Sequence, residues 1–426
     1  MLDVKLLRED PEVIRADLRK RGMLDKLHLV DHAIKADSAW RTAKTRAEVL
    51  RHELNEANRV IADLARKKQP IEAEQSKVAE LSKRLDGLAK AQDEEQRTLE
   101  STLMSFPNIL HESVPVGKDD TENVTVRTWG TEQKFEFEPK DHVEVLANLG
   151  MVDMERAAKI SGSRFFFLKG EAVKLEHAIM RYAIDAVSAK GFIPVEPPFM
   201  MRRQPYGGVT DMNDFGPVIY KVEEEDLYMI ATSEHPLVAM HSDEILSGRE
   251  LPLKYCGFSP CFRVEAGAHG KDTKGIFRTH QFYKVEQVAF ARPEDSWVLH
   301  EQLIANAEGI FRGLGLRYRV VNVCTGDMGT VAAKKYDLEA WMPVQGRFRE
   351  MVSCSNCTDY QSRRLKIRFR DKQNDTTRLV HTLNSTAVTT RALVAIVENF
   401  QQKDGTVTIP EPVVPYMGGV DRLQRR

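Results

Sequence analysis

The chain lacks any run of about 18 uninterrupted apolar residues, the least a membrane-spanning helix needs. Met1 to Gly22 are dense in charge and have no apolar stretch of the secretory-leader kind. A cytoplasmic protein without a membrane partner is therefore expected. Cysteine is scarce: Cys256, Cys261, Cys324, Cys354 and Cys357 are the five in 426 residues, an odd number scattered through the second half. That argues against a disulfide framework and for reduced thiols. Cys354-Ser-Asn-Cys357 has the spacing of half a zinc site, but the chain has no second Cys-x-x-Cys and no His-x3-His follows the pair. Structural zinc takes four ligands, so no zinc is expected. Neither sign of charge prevails, with Lys+Arg 62 against Asp+Glu 63. This leaves nucleic-acid binding open, because contact depends on local charge rather than on the sum.

Residues 26–105 are short of helix breakers: Gly87 is their only glycine and Pro70 their only proline. Ala33, Ala36, Trp40, Ala43, Ala47, Leu50, Leu54, Ala57, Ile61 and Leu64 keep a strict 3,4 spacing, the seam of a left-handed coiled coil. A second seam runs through Val78, Leu81, Leu85, Leu88 and Leu99. Proline is tolerated at a turn or at a first helical position, so Pro70 predicts a reversal between two antiparallel helices. At about 35 residues each they would form an arm on the order of 50 Å long. A short amphipathic helix after Asp10-Pro11 precedes them, and Ser105-Phe-Pro-Asn108 ends the second.

From about residue 115 the pattern changes to β-rich runs separated by Gly and Pro, an α+β unit of some 310 residues. Helices are predicted over 171–190, 233–246, 294–313 and 388–402. Strands are predicted over 226–232, 254–263, 281–291, 317–324, 336–342 and 347–353. Consecutive strands without intervening helices argue for an antiparallel sheet.

The most informative stretch is Cys261-Phe-Arg-Val-Glu-Ala-Gly-Ala-His-Gly-Lys-Asp-Thr-Lys-Gly-Ile-Phe-Arg278, followed by Thr-His-Gln-Phe282-Tyr-Lys-Val-Glu286. Two alternating runs flank a Gly-rich loop over 264–277, whose Gly267, Gly270 and Gly275 suggest mobility. In such a hairpin Arg263, Glu265, Phe282 and Glu286 share one face. From composition alone this also describes a solvated hairpin with paired charges. Likewise, Thr232-Ser233-Glu234 before Pro236 has the pattern of a helix cap.

Phe262-Arg263-x-Glu265 followed by Arg278-x-x-Gln281-Phe282 resembles motif 2 of the class II aminoacyl-tRNA synthetases. The helix at 171–190 leading into Gly191 to Pro198 is similar to motif 1, and Leu383-Asn384-Ser385-Thr386 through Arg391 to motif 3. Within the class, the helical arm, Thr232-Ser233-Glu234 and Cys354-Ser-Asn-Cys357-Thr-Asp-Tyr360 resemble the seryl-tRNA synthetase family, in its archaeal and eukaryotic cytosolic branch.

That resemblance implies a class II antiparallel sheet with flanking helices over 115–426. It also implies an N-terminal tRNA-binding domain over 1–110, with its coiled-coil arm at about 26–105. ATP and L-serine would be the substrates, Mg2+ the cofactor, and tRNA(Ser), with tRNA(Sec) as a further candidate, the acceptor. A homodimer is implied, because motif 1 forms the two-fold interface in this class.

Site roles follow from the same resemblance. Arg263 would bridge the α-phosphate and the serine carboxylate, Glu265 would accept from the adenine amino group, and Phe282 would stack on adenine. Val264 and Thr279 would add main-chain contacts, Arg278 and Arg391 would hold the outer phosphates, and Arg263 and Arg391 would be the catalytic pair. Glu350 and Ser353 would hold Mg2+, with Met351 and Val352 beside them in the ATP site. Thr232, Ser233 and Glu234 would receive the ammonium, and Glu286 with a turn at Asn384-Ser385-Thr386 the hydroxyl. From Asn384 to Arg391 the chain is one residue shorter than the family pattern. That leaves Ser385 and Thr386 as alternatives for the hydroxyl contact.

These roles agree with the chemistry. Adenylation needs positioning and charge neutralisation more than acid–base help, so arginines should dominate. Lys35, Arg41, Lys44, Arg51 and Arg59 on the first arm helix, and Lys77, Lys83, Arg84 and Lys90 on the second, are interleaved with acids. Such a surface suits recognition of RNA by shape and phosphate, and equally an arm laced with ion pairs. Two other readings stay open: a relative that loads a carrier protein, and a tRNA-binding paralogue without catalysis.

Overall fold

A computed structural model describes residues 1–265 and 275–425, and of Asn213 and Asp214 only the backbone. The sequence expectation for the 264–277 loop therefore falls largely outside the described residues. The chain divides into two compact units, Met1–Ile109 and Leu110–Arg426.

The first unit opens with α1 (Val4–Glu9), which the composition gave no hint of, capped by Asp3 accepting from the Lys5 N–H at 2.8 Å. Next comes α2 (Pro11–Lys20), with proline at its first position as expected. Two long helices, α3 (Leu27–Arg66) and α4 (Glu72–Ser105), form an antiparallel hairpin, and the chain reverses between them around Pro70. At 40 and 34 residues they run about 60 and 50 Å.

The seam is apolar in two separate clusters. Leu7, Ile14, Leu18, Val30, Leu103 and Phe106 form one at the base. Leu50, Leu54, Ala57, Val78, Leu81, Leu85 and Leu88 form another further out. Many outer seam residues are only half-buried, because each helix of a two-helix hairpin has one neighbour. Near the base Asp37 takes Arg8 at 2.6 Å and Arg41 at 3.0 Å. Burial opposes ionisation of Asp37, but the two guanidiniums outweigh it and hold the carboxyl below its ordinary range.

The second unit is built on one eight-stranded sheet. In chain order its strands are β1 (Val124–Trp129), β2 (Ile193–Val195), β3 (Leu253–Phe262), β4 (Gln281–Ala291), β5 (Tyr318–Asn322), β6 (Lys334–Met342), β7 (Arg347–Asn356) and β8 (His381–Thr389). Across the sheet the order is β1-β5-β6-β7-β8-β4-β3-β2. The pairs are antiparallel as expected, except β2 with β3, which is parallel.

Three helices, α5 (Glu171–Ser188), α7 (Ser296–Gly313) and α8 (Arg391–Asn399), share one core with the sheet; α6 (Glu234–Ala239) lies outside that core. Period-two alternation explains which strand residues they bury. On β4, Val285, Ala289 and Ala291 join the helices, whereas Phe282, Lys284 and Glu286 fall on the opposite face.

Three expectations are corrected. The helix predicted over 233–246 stops at Ala239, because Asp243 takes a positive φ of 61° and Ile245–Ser247 pairs with Arg368–Arg370. The strand predicted over 226–232 shrinks to Tyr228–Met229. The helix predicted over 388–402 begins only at Arg391, because Val388 and Thr389 finish β8. Asn384-Ser385-Thr386 thus lies inside a strand rather than in a turn, paired with β7 and β4.

Candidate active site

β3 and β4 pair from Leu253 with Phe290 to Phe262 with Gln281. One further bond, Arg263 N–H to His280 O at 2.9 Å, fixes Arg263 just beyond the strand. Its guanidinium stacks over the Phe282 ring at 5.2 Å, and its Nε donates to Ala231 O at 3.4 Å. Around it opens a cavity of about 580 Å3 whose lining includes Glu265, Arg278, Thr279, Glu350, Met351 and Arg391. Three arginines from three separate segments converge there, an arrangement suited to a polyanion.

Arg391, at the first turn of α8, donates through Nη1 to Glu350 O at 2.7 Å and through Nε to Phe277 O at 3.2 Å. Burial and the like charges of Arg263 and Arg278 pull it below the ordinary arginine range, against the pull of Glu350. Glu265 and Arg278, given separate roles by the resemblance, instead pair with each other at 2.8 Å, and Glu265 holds a left-handed φ of 52°.

Glu350 and Ser353 are three residues apart, which in a regular strand puts them on opposite faces. The register of β7 on β6 shifts there: Val352 pairs with Leu338 but Glu350 pairs with Glu339. The extra residue, Met351, is a β-bulge that brings Glu350 and Ser353 onto one face of the cavity. Burial disfavours the Glu350 charge, but Arg391, Lys335 and Arg263 more than offset this and keep the carboxyl below its usual range.

A second cavity of about 760 Å3 shares Arg263, Lys284, Ser353 and Thr386 with the first. It is lined by Thr232, Glu234, Glu286 and Asn384 among others. Glu234 Oε1 accepts from Gln361 Nε2 and from Asn384 Nδ2, both at 3.0 Å. Burial, reinforced by the neighbouring Glu286 charge, pushes the Glu234 carboxyl up to about 7. Glu286 Oε2 lies 2.7 Å from Lys284 Nζ and accepts from Thr386 Oγ1 at 3.2 Å. Its carboxyl is also raised by burial, opposed by Lys284 and Thr386.

Most residues named from the sequence meet at these two cavities, and four do not. The Ser233 side chain is fully buried and donates to Gly257 O at 3.3 Å, so it lines neither cavity and does not cap α6. Thr232 Oγ1 instead accepts the Glu234 N–H at 3.2 Å. Ser385 alternates with Asn384 and Thr386 along β8, which turns its hydroxyl to the other face. There it donates to Thr386 O at 3.1 Å, so Thr386 alone of the two alternatives reaches the cavity. Val352 is buried, and the Val264 N–H is spent on Val218 O at 2.9 Å.

Lys284 and Gln361 were missed. Lys284 was within reach, since period two places it between Phe282 and Glu286; Gln361 comes from a distant helix (Tyr360–Leu365) with no local signal. Among the described residues no group of three or more His, Cys, Asp or Glu side chains is placed to hold a metal ion. Cys357 lines the second cavity, and Cys354 lies in the core beneath α7.

Comparison with known proteins matches these features. Residues 220–400 match the tRNA synthetase class II core domain (G, H, P, S and T), and residues 1–110 match the seryl-tRNA synthetase N-terminal domain. A serine--tRNA ligase of Thermococcus sibiricus is 51% identical over 446 residues, 98% of this chain and 96% of that protein. The crystal structure of seryl-tRNA synthetase from Pyrococcus horikoshii complexed with ATP superposes with a TM-score of 0.95 at 51% identity, covering all of both chains. The cytoplasmic enzyme of Naegleria fowleri in complex with AMP gives 0.90 at 34% identity, over 100% of this chain and 99% of that one.

Sheet, motifs and converging arginines together define a class II aminoacyl-tRNA synthetase. Within that class the match extends over both units. The chain belongs to the seryl-tRNA synthetase family.

Proposed function

We propose that the two joined cavities are the ATP and serine subsites of one activating centre. The carrying observation is that Arg263, Ser353, Lys284 and Thr386 line both, so the reacting carboxylate and α-phosphate meet at Arg263. The enzyme activates L-serine with ATP to seryl-adenylate and pyrophosphate, then charges tRNA with serine.

Arg263 holds the serine carboxylate and the α-phosphate together, a bidentate task for a guanidinium. Phe282 stacks on adenine, while Arg278 and Arg391 take the outer phosphates. Glu265 reaches the adenine amino group once its pair with Arg278 parts. Thr232 and Glu234 hold the ammonium, and Glu286, Asn384 and Thr386 read the hydroxyl. Because these polar groups are buried, a substrate without a hydroxyl leaves them unpaired and is rejected.

Glu350 and Ser353 present oxygen atoms from one face, a donor set that fits Mg2+ completed by phosphate oxygens. When bound, Mg2+ supplies neutralisation of phosphate charge. The first unit binds tRNA(Ser), and tRNA(Sec) is a further acceptor to test. Its basic residues on α3 and α4 are exposed beside acidic neighbours, as Arg59 is beside Glu56, which favours recognition of RNA by shape. No helix among the described residues is long and apolar enough to cross a membrane. A cytoplasmic homodimer is the assembly we infer.

ATP–pyrophosphate exchange with serine, threonine, alanine, glycine and cysteine tests this reading. Exchange driven by serine is the expected outcome. Exchange with none of the five would remove the activating centre and favour a binding paralogue.

A further inference from the structure

We propose that Lys284 sets the charge accepted at the side-chain end of the serine subsite: it neutralises Glu286 and so turns away a substrate with an ammonium in place of the hydroxyl. This rests on reading the second cavity as the serine subsite. The Lys284 side chain is only 8% exposed, and its Nζ lies 2.7 Å from Glu286 Oε2. Burying an ammonium is costly unless it is paired, so the cation is held at this carboxylate rather than left to wander.

Of the charged groups facing the cavity, Lys335 is paired with Asp337 at 3.4 Å, which leaves Glu234 and Glu286 against Lys284 and Arg263 before any substrate enters. His235, which also lines it, stays neutral, pushed down to about 3 by burial and then by the charges of Lys284 and Arg263. Serine adds one charge of each sign. Its carboxylate faces Arg263 and its ammonium faces Glu234, leaving the Lys284–Glu286 pair opposite the side chain. A hydroxyl can donate to Glu286 without disturbing that pair. A second ammonium would come close to Lys284 in a site of low dielectric, where like charges repel strongly. Without Lys284 the same position would hold an unpaired carboxylate beside Glu234, a cation site. Specificity here comes from a repulsive element as well as an attractive one.

The test is pyrophosphate exchange with L-serine and with L-2,3-diaminopropionate, the analogue carrying an ammonium where serine has its hydroxyl, in wild type, Lys284→Met and Lys284→Arg. The ratio of kcat/KM for the analogue over serine should rise at least about tenfold in Lys284→Met and stay near wild type in Lys284→Arg. An equal loss with both substrates, as a purely structural lysine would give, overturns the proposal. A second measurement needs no variant. In wild type, diaminopropionate should inhibit serine-dependent exchange less than L-2-aminobutyrate, a neutral analogue of similar size; stronger inhibition overturns the proposal. Absence of serine-dependent exchange in wild type would overturn the underlying reading of the cavity as well, whereas exchange with an unchanged ratio overturns the role of Lys284 alone.

Discussion

Two carboxylates share the second cavity, and burial treats them unequally because their partners differ. Glu286 has a lysine at 2.7 Å, whereas Glu234, among the described residues, is held by the amides of Gln361 and Asn384. Burial and the Glu286 charge push Glu234 up to about 7, against Lys284 and Arg263. A carboxyl raised in the folded state is more easily protonated, so its charge is lost as pH falls through that value. An ammonium held by Glu234 needs the charged form. In exchange assays kcat/KM for serine should therefore fall between about pH 8 and 6, with a break near 7. A flat profile across that window would remove Glu234 as the ammonium partner. Arg263 is tested by Arg263→Lys, which keeps the charge but loses the fork. Exchange should drop roughly a hundredfold or more with the melting temperature little changed.

At the scale of elements, the cavity depends on small irregularities in regular strands. Gly257 lies opposite Glu286 on β3, and a Cβ there would come within 2.6 Å of both Leu237 Cδ1 and Ser233 Oγ. Gly257→Ala should push the start of α6 outward, costing about 1–3 kcal/mol of stability. It should raise KM for serine more than KM for ATP, because Thr232 and Glu234 ride on that segment. An equal rise in both constants would contradict this.

The same irregularities explain what could be read from the residues and what could not. β3, β4, α5 and α7 carry strong periodicity, and their predicted bounds fall within a few residues of the observed ones. β8 reads His-Thr-Leu-Asn-Ser-Thr-Ala-Val-Thr, too polar to signal a strand. Its polar residues face a cavity on one side, and on the other Ser385 bonds its own strand. The bulge at Met351 has no composition signature at all, yet it decides that Glu350 and Ser353 share one face. Family resemblance supplied that pairing before any geometry did.

At the scale of the whole molecule, the two units have separate cores and should have separable duties. The outer cluster of the helical hairpin, from Leu50 to Leu88, shares no residue with the base cluster around Leu18 and Phe106. Replacing residues 48–90 by a short turn removes the outer cluster and leaves the base cluster intact. Every residue placed in the ATP and serine subsites lies in Leu110–Arg426, beyond the altered segment. The shortened protein should keep serine-dependent pyrophosphate exchange within about twofold of wild type, since additivity holds for distant sites. Charging of tRNA should fall by orders of magnitude if α3 and α4 carry the contacts to its backbone, and the salt sensitivity of tRNA binding should weaken with the lost lysines and arginines. Aminoacylation and exchange measured on one preparation separate the outcomes. Loss of both would tie the hairpin to activation, and retention of both would move tRNA recognition off the outer hairpin.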